Sequence, residues 1–284
     1  MPWTIPADAP RMPRRIGVMR IATWNINSLR ARMDRVLAFL ERHEVDVLAL
    51  QEIKARPAQL DLTALEASGY EVAAHGLNQW NGVALISRVG LSDVRTELPE
   101  VPTWPEDGTG VVEARALGGI VGDGLRIWSL YVPNGRELDH PHYGYKLRWL
   151  EALRAEGARE LAADPAARSV LVGDFNVAPL DEDVWDMAEF EGATHVSDAE
   201  RAAFQSLIDA GLKETSRPFT PGPGVYTFWD YQKLRFPKKQ GMRIDFQLAS
   251  PALAATATDA LIDREERKGK GASDHAPVIV DYDV

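Results

Sequence analysis

Residues 45–50, VDVLAL, form a short apolar run that stops abruptly at Gln51 and Glu52. A run of this length, bounded by polar residues, reads as a strand buried on both faces. The same pattern recurs on either side of it. Upstream, 18–24 (VMRIATW) is a strand candidate ending at Asn25. Between the two, 32–43 carries Met33, Val36, Leu37 and Leu40 at helical spacing. Downstream, 83–87, 111–117 and 125–132 are expected strands, and Gly118, Gly119, Gly122 and Gly124 punctuate the last pair as a hairpin. Residues 145–163 are expected as a long helix with Leu147, Leu150 and Leu161 on one stripe, and 169–172 as a strand running into Gly-Asp-Phe-Asn. Ser197 or Asp198 caps a helix that runs to Ala210 and is closed by Gly211. Late strands are expected at 243–248 and 277–281. Strands and helices mix throughout, so the fold class is α/β or α+β, with some antiparallel pairing at the hairpin.

The chain has 284 residues, and 45% of them are apolar, enough for a sizeable core. That excludes a wholly disordered chain, and no apolar run reaches the roughly 20 residues needed to span a bilayer. With no cysteine, disulfides, thiolate metal sites and cysteine nucleophiles are excluded together. Net charge is −10 (32 basic, 42 acidic), which argues against a protein that coats nucleic acid through bulk positive charge. It leaves room for a nucleic-acid enzyme whose acidic cluster holds a cation. No linker divides the chain, so a single domain is expected over 19–284. Residues 1–17, MPWTIPADAPRMPRRIG, have four prolines and no apolar run. They are unlike a secretory signal, and 1–18 is expected to be a disordered extension, with Met19 as an alternative start.

Polar residues gather where apolar runs end. Asn25 and Asn27 follow Trp24, Glu52 follows Leu50, and Tyr131, Asn134 and Gly135 close SLYVPNG. Asp174 and Asn176 follow VLVG, Asp245 sits in RIDFQLAS, and Asp274 and His275 sit in SDHAP. Strand ends at one sheet edge are where such folds place their sites. Carboxylates and amides suit Mg²⁺ or Mn²⁺, and such an ion stabilises charge developing on a phosphoryl oxygen. A histidine paired to a carboxylate polarises the scissile group, and a second carboxylate orients water. Each piece alone has an ordinary reading: an Asn after a strand is a turn residue, and Asp-His is a satisfied pair. The set in this order is more specific.

Its motifs are TWNINSLR (23–30), LALQEIK (48–54), NGVALISR (81–88), YVPNG (131–135), LVGDFNVAP (171–179), RIDFQLAS (243–250) and SDHAP (273–277). In these the chain resembles the exonuclease III family of apurinic/apyrimidinic endonucleases, a branch of the endonuclease/exonuclease/phosphatase superfamily, from about residue 19 to the end. The resemblance implies a four-layer sandwich of two packed mixed β-sheets flanked by helices, and a Mg²⁺-dependent hydrolase of DNA phosphodiesters, with Mn²⁺ as a substitute. It implies Glu52 as principal metal ligand, Asn25 as a second ligand or an orienter, and Asp274 near the metal or leaving group. Asp174 would activate or orient water, Asn176 would bind a phosphate oxygen, and Tyr131 would contact the scissile phosphate. His275 would polarise that phosphate, held by Asp245, with Gln51 and Asn27 in support. The reaction implied is in-line attack of water 5′ to an abasic site, with exonuclease and 3′-end-cleaning work at the same centre.

Phe228, Trp229 and Met242 are the expected apolar wall for a sugar lacking its base, while plain core is the competing reading for Trp229. Glu214 stands where relatives often carry aspartate. Lys233, Arg235, Lys238 and Lys239, with Lys268, Lys270, Arg30, Arg32, Lys54 and Arg56, flank the site and would track phosphates, with Asn134 also facing the DNA. The partner implied is double-stranded DNA with abasic or blocked 3′ ends, met by a cytoplasmic monomer. The alternatives are the same chemistry on another phosphoester, or a catalytically silent DNA-binding protein.

Overall fold

The computed structural model describes residues 17–284. The expected extension over 1–18 lies outside the described residues except for its last two, and Val18 already opens a strand. In chain order the elements are β1 (Val18–Asn25), α1 (Leu29–His43), β2 (Val47–Gln51), α2 (Thr63–Ala67), β3 (Glu71–His75), β4 (Val83–Ser87), β5 (Leu91–Arg95), β6 (Ala116–Val121) and β7 (Leu125–Tyr131). Then come α3 (Pro141–Ala163), β8 (Ser169–Asp174), α4 (Asp198–Asp209), β9 (Lys213–Glu214), β10 (Asp245–Ala249), α5 (Pro251–Ala254), β11 (Ala257–Ile262) and β12 (Val278–Asp283).

The strands form two six-stranded sheets, ordered β11-β12-β1-β2-β4-β3 and β5-β6-β7-β8-β10-β9. Each is mixed: β1 with β2 and β7 with β8 are parallel, and the remaining pairs are antiparallel. Successive side chains in a strand point to opposite faces, and β2 shows what that does. Val47 and Ala49 enter the core between the sheets, beside Leu85, Ile127 and Val172. Leu48 and Leu50 enter a second core under α1, beside Val36 and Phe39. A third core lies between the other sheet and α3 and α4, with Trp128, Leu171 and Phe246 against Trp149, Leu153 and Phe204. Three cores separate four layers, which is the sandwich the resemblance implied.

Several local readings hold. The glycine-punctuated hairpin is β6–β7, with Val121 opposite Leu125. Ser197 caps α4 through a capping box with Glu200. Others shift. The expected strand over 111–117 begins only at Ala116, because Val111 instead bridges to Trp104 in the preceding loop. α1 starts at Leu29 rather than Arg32, and Arg32 has a non-helical φ of −133°.

β1, β2, β7, β8 and β10 converge at one edge of the sandwich. At that edge Tyr131 pairs in register with Asp174, and Asp174 with Asp245. Gly173 is required there: a Cβ on it would lie 1.9 Å from the Leu130 carbonyl oxygen.

Candidate active site

At the converging strand ends lies a cleft of about 630 Å³, lined by Glu52, Tyr131, Asp174, Asn176, Asp274 and His275. Asn25 and Asp245 lie beneath them, fully buried. The sequence-predicted catalytic residues, drawn from segments up to 250 positions apart in number, therefore meet in one place. Glu52 and Asn176 both leave their strands in the left-handed region, at φ 51°. Strain of this kind in non-glycine residues persists where surroundings over-determine it, commonly at functional sites.

The hydrogen bonds define the geometry. Asn25 Nδ2 donates to Glu52 Oε1 at 2.9 Å and to Asp174 Oδ2 at 3.0 Å. Its Oδ1 accepts from the Asn27 backbone N–H, so Asn25 stands here as an orienter joining two carboxylates. His275 Nδ1 lies 2.9 Å from Asp245 Oδ2, and Nε2 lies 3.7 Å from Asp174 Oδ2. The SDHAP segment is tied to β1: Ser273 Oγ donates to the Asn25 carbonyl at 2.6 Å, and Trp24 Nε1 donates to the His275 carbonyl at 3.1 Å. Asp274 Oδ1 accepts from Asn27 Nδ2. Gln51 is buried behind the site on Thr23 and Ser129.

Electrostatics follow from that packing. Burial alone would lower the His275 imidazole, but the carboxylates of Asp245 and Asp174 outweigh it and push it up to about 10. Burial lifts Asp174 to about 7, with Asp245 adding to the rise and His275 opposing it. Burial would also lift Glu52, yet Lys54, 2.7 Å from Oε2, and the Asn25 amide hold it below the usual carboxylate range. Burial and the nearby Glu52 keep the Tyr131 phenol protonated far above its ordinary value.

Among the described residues, Asp174, Asp245 and His275 have ligand atoms within 4.8 Å of one another, a spacing a metal ion can use. Two facts argue against that trio as the ligand set. Nδ1 of His275 is committed to Asp245, and an imidazolium has no lone pair to give. Glu52 fits better: it is a cleft-facing oxygen donor already matched by a positive charge, and Asn25 links it to Asp174. Such a hard-oxygen set suits a divalent cation that keeps several waters.

Phe228 and Met242 form the apolar wall, and the Phe228 ring lies 4.9 Å from His275. They also border a second recess of about 140 Å³ that includes Trp185 and Arg235. Trp229 does not join them. At 1% exposure it is core, packed with Tyr226 and Ala276, and its backbone N–H donates to the Asp274 carbonyl. The expectation that it contacts DNA is corrected to support from behind. Lys233, Lys238 and Lys239 are exposed, as is Arg30 on the first turn of α1, though none lines the cleft; Arg235 is half-buried with its guanidinium 4.8 Å above the Trp185 ring. Arg32 is spent on local structure, donating to Asn27, Gly271 and Ala272 carbonyls.

Sequence reasoning missed three participants. Arg115 lies over the Tyr131 ring at 4.8 Å and pairs with Glu113, which also takes the Tyr145 hydroxyl. His195 lines the cleft with Nε2 3.1 Å from Asn176 Oδ1, and burial lowers it to about 3, so it is neutral. Lys146 is wholly buried beneath Asn134 and Asn176. A signal for Lys146 existed: a lysine beside Tyr145, four residues before Leu150, on the inward stripe of α3.

Residues 22–275 match the family described as endonuclease/exonuclease/phosphatase. The chain is 37% identical to the 3′ phosphatase NExo from Neisseria, a structure bound to a product DNA hairpin, with a TM-score of 0.87 over 94% of this chain and 100% of that one. It is 31% identical to an AP endonuclease from Archaeoglobus fulgidus, with a TM-score of 0.85 over 94% and 100%. Exodeoxyribonuclease III of Haemophilus influenzae is 29% identical over 93% of this chain and 100% of its own length. With motifs, layers and cleft in agreement, the chain belongs to the endonuclease/exonuclease/phosphatase family, in its exonuclease III branch of nucleases.

Proposed function

We propose that this nuclease repairs DNA by hydrolysing the phosphodiester 5′ to abasic sites, and that it also removes nucleotides and blocking groups from 3′ ends at the same centre. The observation that carries the reading is the arrangement of His275 between Asp245 and Asp174, under a cleft walled by Phe228 and Met242. The relatives support it: one is an exodeoxyribonuclease, one an AP endonuclease and one a 3′ phosphatase.

In this reading the His275 imidazolium donates through Nε2 to a phosphoryl oxygen, with Asp245 fixing the ring. Asp174, lifted to about 7, takes the proton of the attacking water, a value near the operating pH of a general base. The water oxygen bonds to phosphorus, the bond to the 3′ oxygen breaks, and that oxygen takes a proton from solvent water, so the products are a 3′-hydroxyl and a 5′-phosphate on the abasic sugar. Tyr131, Asn134 and Asn176 contact the phosphate. Glu52, with Asp274 and the Asn25–Asp174 pair beside it, holds Mg²⁺ or Mn²⁺, which when bound neutralises charge developing on the phosphate. Phe228 and Met242 take up the sugar that lacks a base, and Lys233, Lys238, Lys239 and Arg30 meet the flanking phosphates. No helix among the described residues is long and apolar enough to cross a membrane, and we propose a cytoplasmic monomer.

A second reading makes 3′-terminal phosphates and nucleotides the main substrates. The likeness to the 3′ phosphatase favours it. One experiment tests both: cleavage of a labelled duplex carrying a single abasic analogue, beside one carrying a 3′-phosphate, with Mg²⁺, with Mn²⁺ and with chelator. Cleavage of neither, with turnover of a non-nucleic phosphoester instead, would overturn both.

A further inference from the structure

We infer that Lys146 is a positioning residue for phosphodiester hydrolysis, whose buried ammonium pins the two strand-end loops that carry Asn134 and Asn176. The inference rests on the functional reading above. Lys146 sits inside α3 at 0% exposure, and its three N–H bonds have three acceptors. Nζ donates to the Asn176 carbonyl at 2.6 Å, to the Asn134 carbonyl at 3.2 Å and to Glu200 Oε1. Those carbonyls belong to the loops after β8 and β7. Their side-chain amides meet above, Asn134 Nδ2 to Asn176 Oδ1 at 3.3 Å, on the floor of the cleft. Asn176 is in the left-handed region, so its carbonyl is turned out of the strand ladder, and the ammonium is what receives it. Glu200 is fixed in turn, its Oε2 accepting from Ser197 Oγ at 2.6 Å in the capping box of α4. Two helices and both loops therefore meet on one charge.

A purely structural role does not call for this arrangement. A buried ion pair replaced by apolar side chains of similar size is often as stable or more so. What apolar side chains cannot do is hold two carbonyls at fixed angles, and a displacement of about 1 Å beside a reacting phosphate can cost about 100-fold in rate.

The test is the double variant K146M/E200L, made in the wild-type and N134A/N176A backgrounds. Thermal unfolding is followed, and kcat and KM are measured on the abasic and 3′-phosphate duplexes. In the wild-type background we expect a cooperative fold and a kcat reduced about 30-fold or more. With both asparagine side chains already gone, the same pair of changes should cost under about threefold, because its effect passes through them. Full turnover by the folded double variant, or an equal loss in both backgrounds, overturns the inference. Should K146M/E200L fail to fold, E200Q keeps the shape while loosening the ammonium, and the same comparison of backgrounds decides. A wild-type protein that cleaves neither DNA brings down the functional reading itself, and this role with it.

Discussion

Two of the clusters of buried charge on this fold are built on opposite plans. Away from the cleft, Arg20, Arg35, Arg42 and Arg88 pair with Asp281, Glu266, Asp263 and Asp46, tying β1, α1, β2 and the C-terminal strands together. Four guanidiniums face four carboxylates, and Arg20 meets Asp281 through both Nε and Nη2. In the cleft, the ion pairs made by Glu52, Asp174 and Asp245 among the described residues are to Lys54 and His275, Asp274 adds a fourth carboxylate, and Asp245 Oδ1 has no hydrogen-bond partner among those residues. Burial is comparable, but the balance is not. Where charges match, the free energy is spent inside the protein. Where carboxylates outnumber cations around an open cavity, the field is left for a cation and a phosphate to complete.

That contrast yields predictions that differ in kind. The largest is D174N or H275A, each expected to lower kcat by about 10³-fold or more with unfolding midpoints close to wild type, measured by single-turnover cleavage and thermal melts. An equal collapse of stability would erase the distinction between the clusters. Next, a chelator should abolish cleavage and leave far-UV circular dichroism unchanged, because the missing cation completes a site rather than a fold. R20L should do the reverse. Leaving Asp281 buried beside a lost partner should destabilise by about 3–5 kcal/mol, with unchanged kcat per folded molecule. Removing Lys238 and Lys239 together should flatten the dependence of log KM on log salt by roughly one to two units of slope, similarly for every DNA tested.

The smallest effect concerns pH in the metal-free protein. His275 is raised in the folded state, so its stabilisation is fully present below about 6.5 and is lost as pH rises through about 10. Asp174, raised to about 7, acts in the same direction from lower pH. Unfolding midpoints should therefore decline from neutral pH to pH 10 more steeply in wild type than in H275Q. Parallel curves would remove His275 from that account.

Most of the cleft was legible because its residue types are out of place. Glu52 after VDVLAL and Asp174 after VLVG are carboxylates where a strand should simply stop, and only a site explains several at once. The central strands were legible for the converse reason, being apolar on both faces. β3 (EVAAH) and β5 (LSDVR) were not: as edge strands they are half-exposed or mostly exposed and show no apolar run. Arg115, His195 and Lys146 escaped because they reach the site from a loop or a helix interior, where neither strand period nor motif marks them. The tryptophan at 229 misled for a related reason: the sequence places it next to Phe228 but not on the same side of the backbone.

The pairing of β1 with β12, Thr23 opposite Val278, has a consequence during synthesis. β12 follows every other described strand in chain order, yet it is an interior strand of its sheet, and His275 lies just before it. A growing chain therefore keeps an open β1 edge, for a chaperone to shield or a neighbour to capture, until β12 has been made. It gains the ability to cut DNA only after the segment carrying His275 and the strand behind it have been added.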